Sequence, residues 1–175
     1  MTVKPAGFIS AFLLIGMIVS DVSFSQSNGK RDILGSFRDW DAILIERDNG
    51  ERICHVISIP KDTQPEGANR GDIYITVTHR PRRKVRDEVH IVVGYPLRTG
   101  SEVTASIGSR RFAMFTEGRG AWHYSQEDDS RMVTAMKAGN ALVIRGTSAR
   151  GTDTTDRYSL IGFTAAYNAI TSACR

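Results

Sequence analysis

Trp40-Asp41-Ala42-Ile43-Leu44-Ile45-Glu46 and Arg52-Ile53-Cys54-His55-Val56-Ile57-Ser58-Ile59 flank the turn Asp48-Asn49-Gly50, and this stretch decides the fold class. Ile recurs in both flanks and Val56 joins it in the second, and such branched side chains pack well on a pleated surface. The Asn-Gly pair between them tolerates the positive φ angles of a tight hairpin. The segment reads as two antiparallel strands joined by a short turn.

The theme recurs along the chain. Ile73, Ile75 and Val77 alternate with Tyr74, Thr76 and Thr78, so one face can be buried while the other is wet or covered by a helix, and Val89 to Tyr95 repeats the pattern. Val103 to Ile107 and Arg111 to Thr116 join through Gly108-Ser109, Ala121 to Tyr124 follows the turn Gly118 to Gly120, and Ala141 to Thr147 and Arg157 to Gly162 complete the set. Short strands separated by turn residues predict a mainly β domain, an antiparallel β-sandwich or a barrel-like sheet. Pro60 to Gly71, with two prolines and two glycines, reads as a surface connection.

Two segments carry helical period instead. Ser130 can cap a short helix in which Val133 and Met136 share a face, with Gly139 placed to stop it in a left-handed conformation. Phe163, Ala166, Tyr167, Ile170 and Cys174 fall on one stripe at spacings of three and four, which predicts a C-terminal helix packed on the sheet.

A chain of 175 residues with 41% hydrophobic and 24% charged side chains has the length of one domain and enough apolar surface to fold. The N-terminus reads as a secretory signal peptide over residues 1–25. Lys4 gives the positive start, Phe8 to Val19 is an apolar run too short for a hydrocarbon core that needs about 20 residues, and Ser23 and Ser25 are the small residues before the cut. No transmembrane anchor is expected after cleavage. Removal takes one cation, Lys4, and one carboxylate, Asp21, so the net charge of +4 is unchanged. The polar stretch from Ser23 to Lys30 predicts a flexible leader over residues 26–36, with the domain spanning 37–175.

Export changes the meaning of the cysteines. In an oxidising compartment an even count favours a bridge, so Cys54 and Cys174, the only two, are expected to form a structural disulfide tying the chain's end to an early strand. His55, His79, His90 and His123 are scattered one per strand or strand end without ligand spacing, so neither a metal site nor a cofactor is expected. Ser148, in Gly146-Thr147-Ser148-Ala149-Arg150-Gly151, has one residue too many for a hydrolase nucleophile turn. Gly118-Arg119-Gly120 lacks the third glycine and following helix of a phosphate cradle. The one strong local anomaly is basic: Arg80, Arg82, Arg83, Lys84 and Arg86 crowd around Pro81, whose ring stiffens the turn and would hold the cations on one rim. Such a rim suits an anionic surface. The bland alternative is a solvated loop offset by Asp87 and Glu88. Specific nucleic-acid binding is not expected, because the run lacks interleaved aromatics for base stacking.

Read together, these segments resemble the invasion-associated locus B family of exported alphaproteobacterial proteins. The likeness rests on Val77-Thr78-His79-Arg80-Pro81, Gly94-Tyr95-Pro96, Phe115-Thr116 through Ala121-Trp122, Ala135-Met136-Lys137 and Gly146 to Thr152. Tyr158-Ser159-Leu160, Gly162 to Ala166 and Cys174 extend it. The resemblance implies a periplasmic or outer-envelope-associated, or secreted, β-sandwich-like domain with no known catalysis and a role in host-cell invasion. Some relatives have a further cysteine where this chain has Leu44, and the basic density at Arg82 to Lys84 is richer than is typical of them.

The leading expectation is therefore a non-enzymatic envelope or surface factor that binds an anionic envelope or host-surface component, or a protein partner; the residues do not define an oligomeric state. A structural or chaperone-like periplasmic protein working through exposed strand edges is the alternative. A hydrolase recruiting Asp153, Asp156 and the histidines ranks lower. Mass spectrometry of the protein from the periplasmic fraction is expected to give a mature N-terminus between Ser20 and Gln26. An intact Met1 terminus in that fraction contradicts the signal-peptide reading.

Overall fold

The computed structural model describes residues 29–175, so the signal peptide and residues 26–28 of the leader lie outside the described residues. The strands are β1 (Lys30–Phe37), β2 (Trp40–Glu46), β3 (Arg52–Ser58), β4 (Asp62–Gln64), β5 (Tyr74–Arg80), β6 (Val85–Val92), β7 (Glu102–Ile107), β8 (Arg110–Glu117), β9 (Gly120–Trp122), β10 (Ala141–Thr147) and β11 (Asp153–Ser159). Helix α1 (Gln126–Ala138) precedes β10, and α2 (Phe163–Ala173) ends the fold.

All eleven strands belong to one antiparallel sheet in the order β1-β2-β3-β5-β6-β9-β8-β7-β10-β11-β4. Between β3 and β4 the chain has only Ile59, Pro60 and Lys61, yet the two strands sit far apart in the ladder. The sheet therefore curls back on itself: β3 pairs with β2 and β5, and its continuation β4 pairs with β11 at the far end. Lys61 N–H donating to the Arg157 carbonyl at 2.7 Å continues the β4–β11 pairing up to the end of β3. The expected mainly β antiparallel domain is thus one open, curled sheet with β1 and β4 at its edges.

Alternation sets one face inward. Ala42, Leu44, Cys54, Val56, Val77, Ile75, Val89 and Ile91 are all buried and form one core with Met114, Val103, Ala105, Ile144 and Tyr158 from the later strands. The β2–β3 hairpin forms as expected: Gly50 takes the positive φ of 73° and Asn49 Oδ1 accepts Glu51 N–H at 2.9 Å.

Helix α2 covers the inner face of β1, β2, β3 and β5. Its buried residues are Phe163, Ala166, Tyr167 and Ile170, with Cys174 beyond its last turn, so the stripe read from spacing is the packed face. The helix enters at Gly162, whose φ is 93° and where a Cβ would overlap the Phe37 carbonyl. Trp40 fills the seam: its indole N–H donates to the Ser159 carbonyl at 2.9 Å and its ring meets Phe163 edge-on at 4.9 Å. At the other end Cys54 and Cys174 are joined in a disulfide, with Cα atoms 6.0 Å apart.

Three expectations are corrected. Residues 30–36 are not a flexible leader and the domain does not start at Phe37, because Lys30–Phe37 pair along their length with β2; the polar composition fits a half-exposed edge strand broken by an irregularity between Ile33 and Gly35. Helix α1 starts at Gln126, capped by Ser125 rather than Ser130, and Gly139 ends it in an extended conformation with φ −97°. The Pro60 to Gly71 connection contains β4, which exists only through pairing with β11.

The disulfide closes a loop with a sequence separation of 120. For such a loop chain entropy gives roughly 4 to 5 kcal/mol as an upper figure. Changing both cysteines to Ala is expected to lower Tm by roughly 5 to 10 °C, allowing half that figure to be realised. Titration of the oxidised, denatured protein is expected to find no free thiol, and two per chain would refute the bridge. A pH dependence follows from the histidines. Burial holds His55, His79 and His90 below the ordinary value of 6.5, with Arg31 and Arg80 adding to the shift at His55 and Asp87 and Glu88 partly opposing it at His79 and His90. The unfolded chain then binds more protons below 6.5 than the folded one. This part of the stability is fully present above that value and is lost as pH falls through the folded values, so the urea midpoint is expected to be lower at pH 5 than at pH 7. A midpoint that does not fall contradicts it.

Candidate functional site

The basic run forms the tip of the β5–β6 hairpin. Pro81 opens a single 3-10 turn over Pro81–Arg83, and Lys84 closes it in a left-handed conformation with its N–H on the Pro81 carbonyl at 3.0 Å. The turn is laced to the neighbouring β2–β3 turn. Arg83 Nε lies 3.1 Å from Glu51 Oε1, Arg47 holds Glu51 Oε2 at 3.0 Å, and Arg82 donates to the Asn49 carbonyl at 2.7 Å. Arg80 pairs with Glu88 at 2.6 Å. The five cations thus divide: Arg80 and Arg83 spend their charge on carboxylates, whereas Arg82, Lys84 and Arg86 are exposed and make no ion pair among the described residues.

Sequence adjacency suggests that Asp87 and Glu88 offset the run. Glu88 does so through Arg80, but Asp87 turns inward with φ 64° and is buried. Tyr167 O–H donates to its Oδ1 at 2.6 Å, Ser130 O–H to its Oδ2 at 3.2 Å, and its own N–H to His79 Nδ1 at 3.1 Å. His79 Nε2 in turn meets the Thr171 hydroxyl at 3.2 Å. Strand β6 is thereby fastened to both helices directly beneath the basic tip. Lys137 of α1 lies over the Tyr167 ring at 3.6 Å. Partial burial lowers its pKa, Asp87 opposes that shift and Arg86 adds to it. Its place over Tyr167 had no signal in the sequence, since it comes from another element.

The other chemistry-bearing residues are structural or isolated. Asp156 is buried and grips Arg70 through two bonds of 2.7 Å, while Arg70 also donates to the Val93 carbonyl at 2.8 Å. Asp153 accepts from the Thr147 hydroxyl at 2.7 Å. Ser148 Oγ accepts Thr152 N–H at 3.0 Å inside its turn. A cleft of about 590 Å³ above Arg70 is lined by Tyr95, Arg119, Ser148 and Arg150. No group of three His, Cys, Asp or Glu residues is placed to hold a metal among the described residues.

Two of the segments that carry the family likeness, Gly94-Tyr95-Pro96 and Ser148 to Thr152, meet at that cleft, and Val77 to Pro81 runs into the basic tip. No curated protein and no solved structure matches the chain. The family model described as Invasion associated locus B (IalB) protein matches residues 40–171, from the seam-filling Trp40 to Thr171 beneath the basic tip, and the chain belongs to that family.

Proposed function

We propose that this protein is an exported, envelope-associated binding factor rather than an enzyme, and that it docks on an anionic surface of the envelope or of a host cell through Arg82, Lys84 and Arg86. The observation that carries the reading is the division of charge at the β5–β6 tip. Three exposed cations, without carboxylate partners among the described residues, stand on a hairpin tip that is fixed by Glu51 and Asn49 on one side and by Asp87 below. Rigid placement lowers the entropy lost on docking, and adjacent cations reinforce one another within a Debye length of about 8 Å. Family membership supports the invasion-associated context. The sheet edges favour docking over client capture, because β1 carries Lys30, Arg31 and Asp32 and an irregularity at Gly35, features that blunt strand addition.

A juxtamembrane cation contributes about 1 kcal/mol to binding an anionic bilayer. The triple variant Arg82→Ser, Lys84→Ser, Arg86→Ser is therefore expected to bind vesicles containing anionic lipid roughly 100-fold more weakly at low salt. Its Tm is expected to stay within a few degrees of the parent. Arg80→Ser with Arg83→Ser should change vesicle binding much less, since those charges are already paired. Equal affinity of triple variant and parent would remove the rim from the binding surface.

A further inference from the structure

Four connections meet at the end of the β5–β6 hairpin opposite the basic tip. They are the β4–β5 connection with Arg70 and Gly71, the β6–β7 connection with Gly94 to Pro96, the β8–β9 turn with Arg119, and the β10–β11 turn with Arg150. Backbone bonds lace them together: Gly71 N–H donates to the Gly94 carbonyl at 2.8 Å, Val93 N–H to that of Arg119 at 3.1 Å, and Ala149 N–H to that of Pro96 at 2.9 Å. The cleft they frame is thus shaped before anything enters it. Its volume of about 590 Å³ lies within the ~300 to 1,000 Å³ of small-molecule sites.

The charges lining the cleft are one-sided. Arg70 is spent: Asp156 takes two of its bonds at 2.7 Å, and the Val93 carbonyl two more at 3.1 and 2.8 Å. Arg119 and Arg150 are exposed, come from different turns and make no ion pair among the described residues. The Arg119 guanidinium lies against the bare backbone of Gly71, where a Cβ would stand 3.1 Å from its Nη2, and that Nη2 donates to the Gly94 carbonyl at 3.2 Å. One bond therefore orients the group and leaves its other N–H donors free. No carboxylate lines the cleft, and Glu66 and Asp72 of the β4–β5 connection are exposed outside it. Arg98 adds a further exposed cation beside the lining, 3.1 Å from where a Cβ of Gly151 would be.

This lining selects among ligands. A cleft walled by one sign of charge concentrates its field on the space between the walls, so it repels cations and draws anions. A carboxylate has two oxygens in one plane, which a single bidentate guanidinium fills, whereas a phosphate monoester has three terminal oxygens and serves two forks at once. The exposed Pro65, Ala68, Pro96 and Ala149 beside the arginines offer apolar wall to the carbon body of such an ester. We infer that this cleft binds a soluble small molecule carrying a phosphate monoester, with Arg119 and Arg150 gripping the phosphate. The seven residues of β5, at about 3.3 Å each, put the site roughly 20 Å from the basic tip. It stands or falls independently of the rim.

The purified protein would be titrated calorimetrically with glucose 6-phosphate, glycerol 3-phosphate, glucuronate and glucose at low and at high salt. Saturable binding of at least one of the two esters is expected, weaker at high salt, with glucuronate bound at least tenfold less tightly and glucose not at all. Arg119→Ala and Arg150→Ala are each expected to weaken ester binding at least tenfold with Tm nearly unchanged, since both side chains are exposed and neither holds a carboxylate. Arg98→Ala removes the same charge from outside the lining and is expected to change the affinity less than threefold, which separates a grip on the phosphate from a diffuse field. The rim triple variant is expected to bind the ester like the parent, and the double variant Arg119→Ala, Arg150→Ala to bind anionic vesicles like the parent. No saturable binding of either ester, glucuronate bound as tightly as the esters, affinities within twofold of the parent in both Arg119→Ala and Arg150→Ala, or an equal loss in Arg98→Ala would overturn the inference.

Discussion

The architecture depends on α2 covering the inner face of β1, β2, β3 and β5. A sheet with one apolar face must bury it, and here the cover is a helix of eleven residues, too short to be stable alone. Phe163, Tyr167 and Ile170 are buried, each contributing about 1.5 to 3 kcal/mol by transfer from water. Their sum is comparable to the whole stability of an ordinary domain, about 5 to 15 kcal/mol. Losing the helix would therefore mean losing the fold. Its two ends are pinned by different means: Trp40 and Gly162 at the entry and the Cys54–Cys174 bridge at the exit. The bridge joins the terminus to a central strand, β3, so fraying at the C-terminus cannot propagate far into the core.

Elements whose stability is local were legible in the sequence, and elements made by distant pairing were not. The β2–β3 hairpin announces itself because Asn49-Gly50 supplies both the side-chain acceptor and the positive φ that its turn needs. The α2 stripe is equally plain, since one side of the helix is buried and the other wet. Strand β1 hid behind Lys30, Arg31 and Asp32, because an edge strand half in water has no reason to alternate cleanly. The start of α1 hid for a related reason: Glu127, Asp128 and Asp129 suit the positive end of a helix but carry no apolar period, and the buried Met132, Val133, Ala135 and Met136 begin only a turn later. β4 has three residues and exists by virtue of β11, and Arg70 in the same connection finds Asp156 only because the sheet curls. The basic tip could be read as a cluster, yet which of its charges are spent could not, because Glu51 reaches it from the β2–β3 turn.

The inward turn of Asp87 is what makes the rim more than a charged loop. A non-glycine residue at φ 64° is held in a sparsely populated conformation, and such a conformation persists only where the surroundings over-determine it. Here Tyr167, Ser130 and His79 do so, taking the carboxylate off the surface and using it to fasten the hairpin to both helices. Had Asp87 pointed outward it would have formed a surface pair with one of the rim cations, worth at most about 1 kcal/mol, and the tip would have lost both its anchor and a third of its free charge.

Helix α1 is the element that ties β6 down beneath the rim. Asp129 holds His123 and the Val89 amide, and Ser130 holds Asp87, so consecutive positions on one helix fix two buried positions of β6. Lys137, two turns on, lies over the Tyr167 ring of α2 at 3.6 Å, so the two helices that hold the strand also touch each other. A hairpin tip anchored in this way presents its cations in a fixed array, and the attraction of such an array for an anionic surface acts at a distance and is weakened by salt.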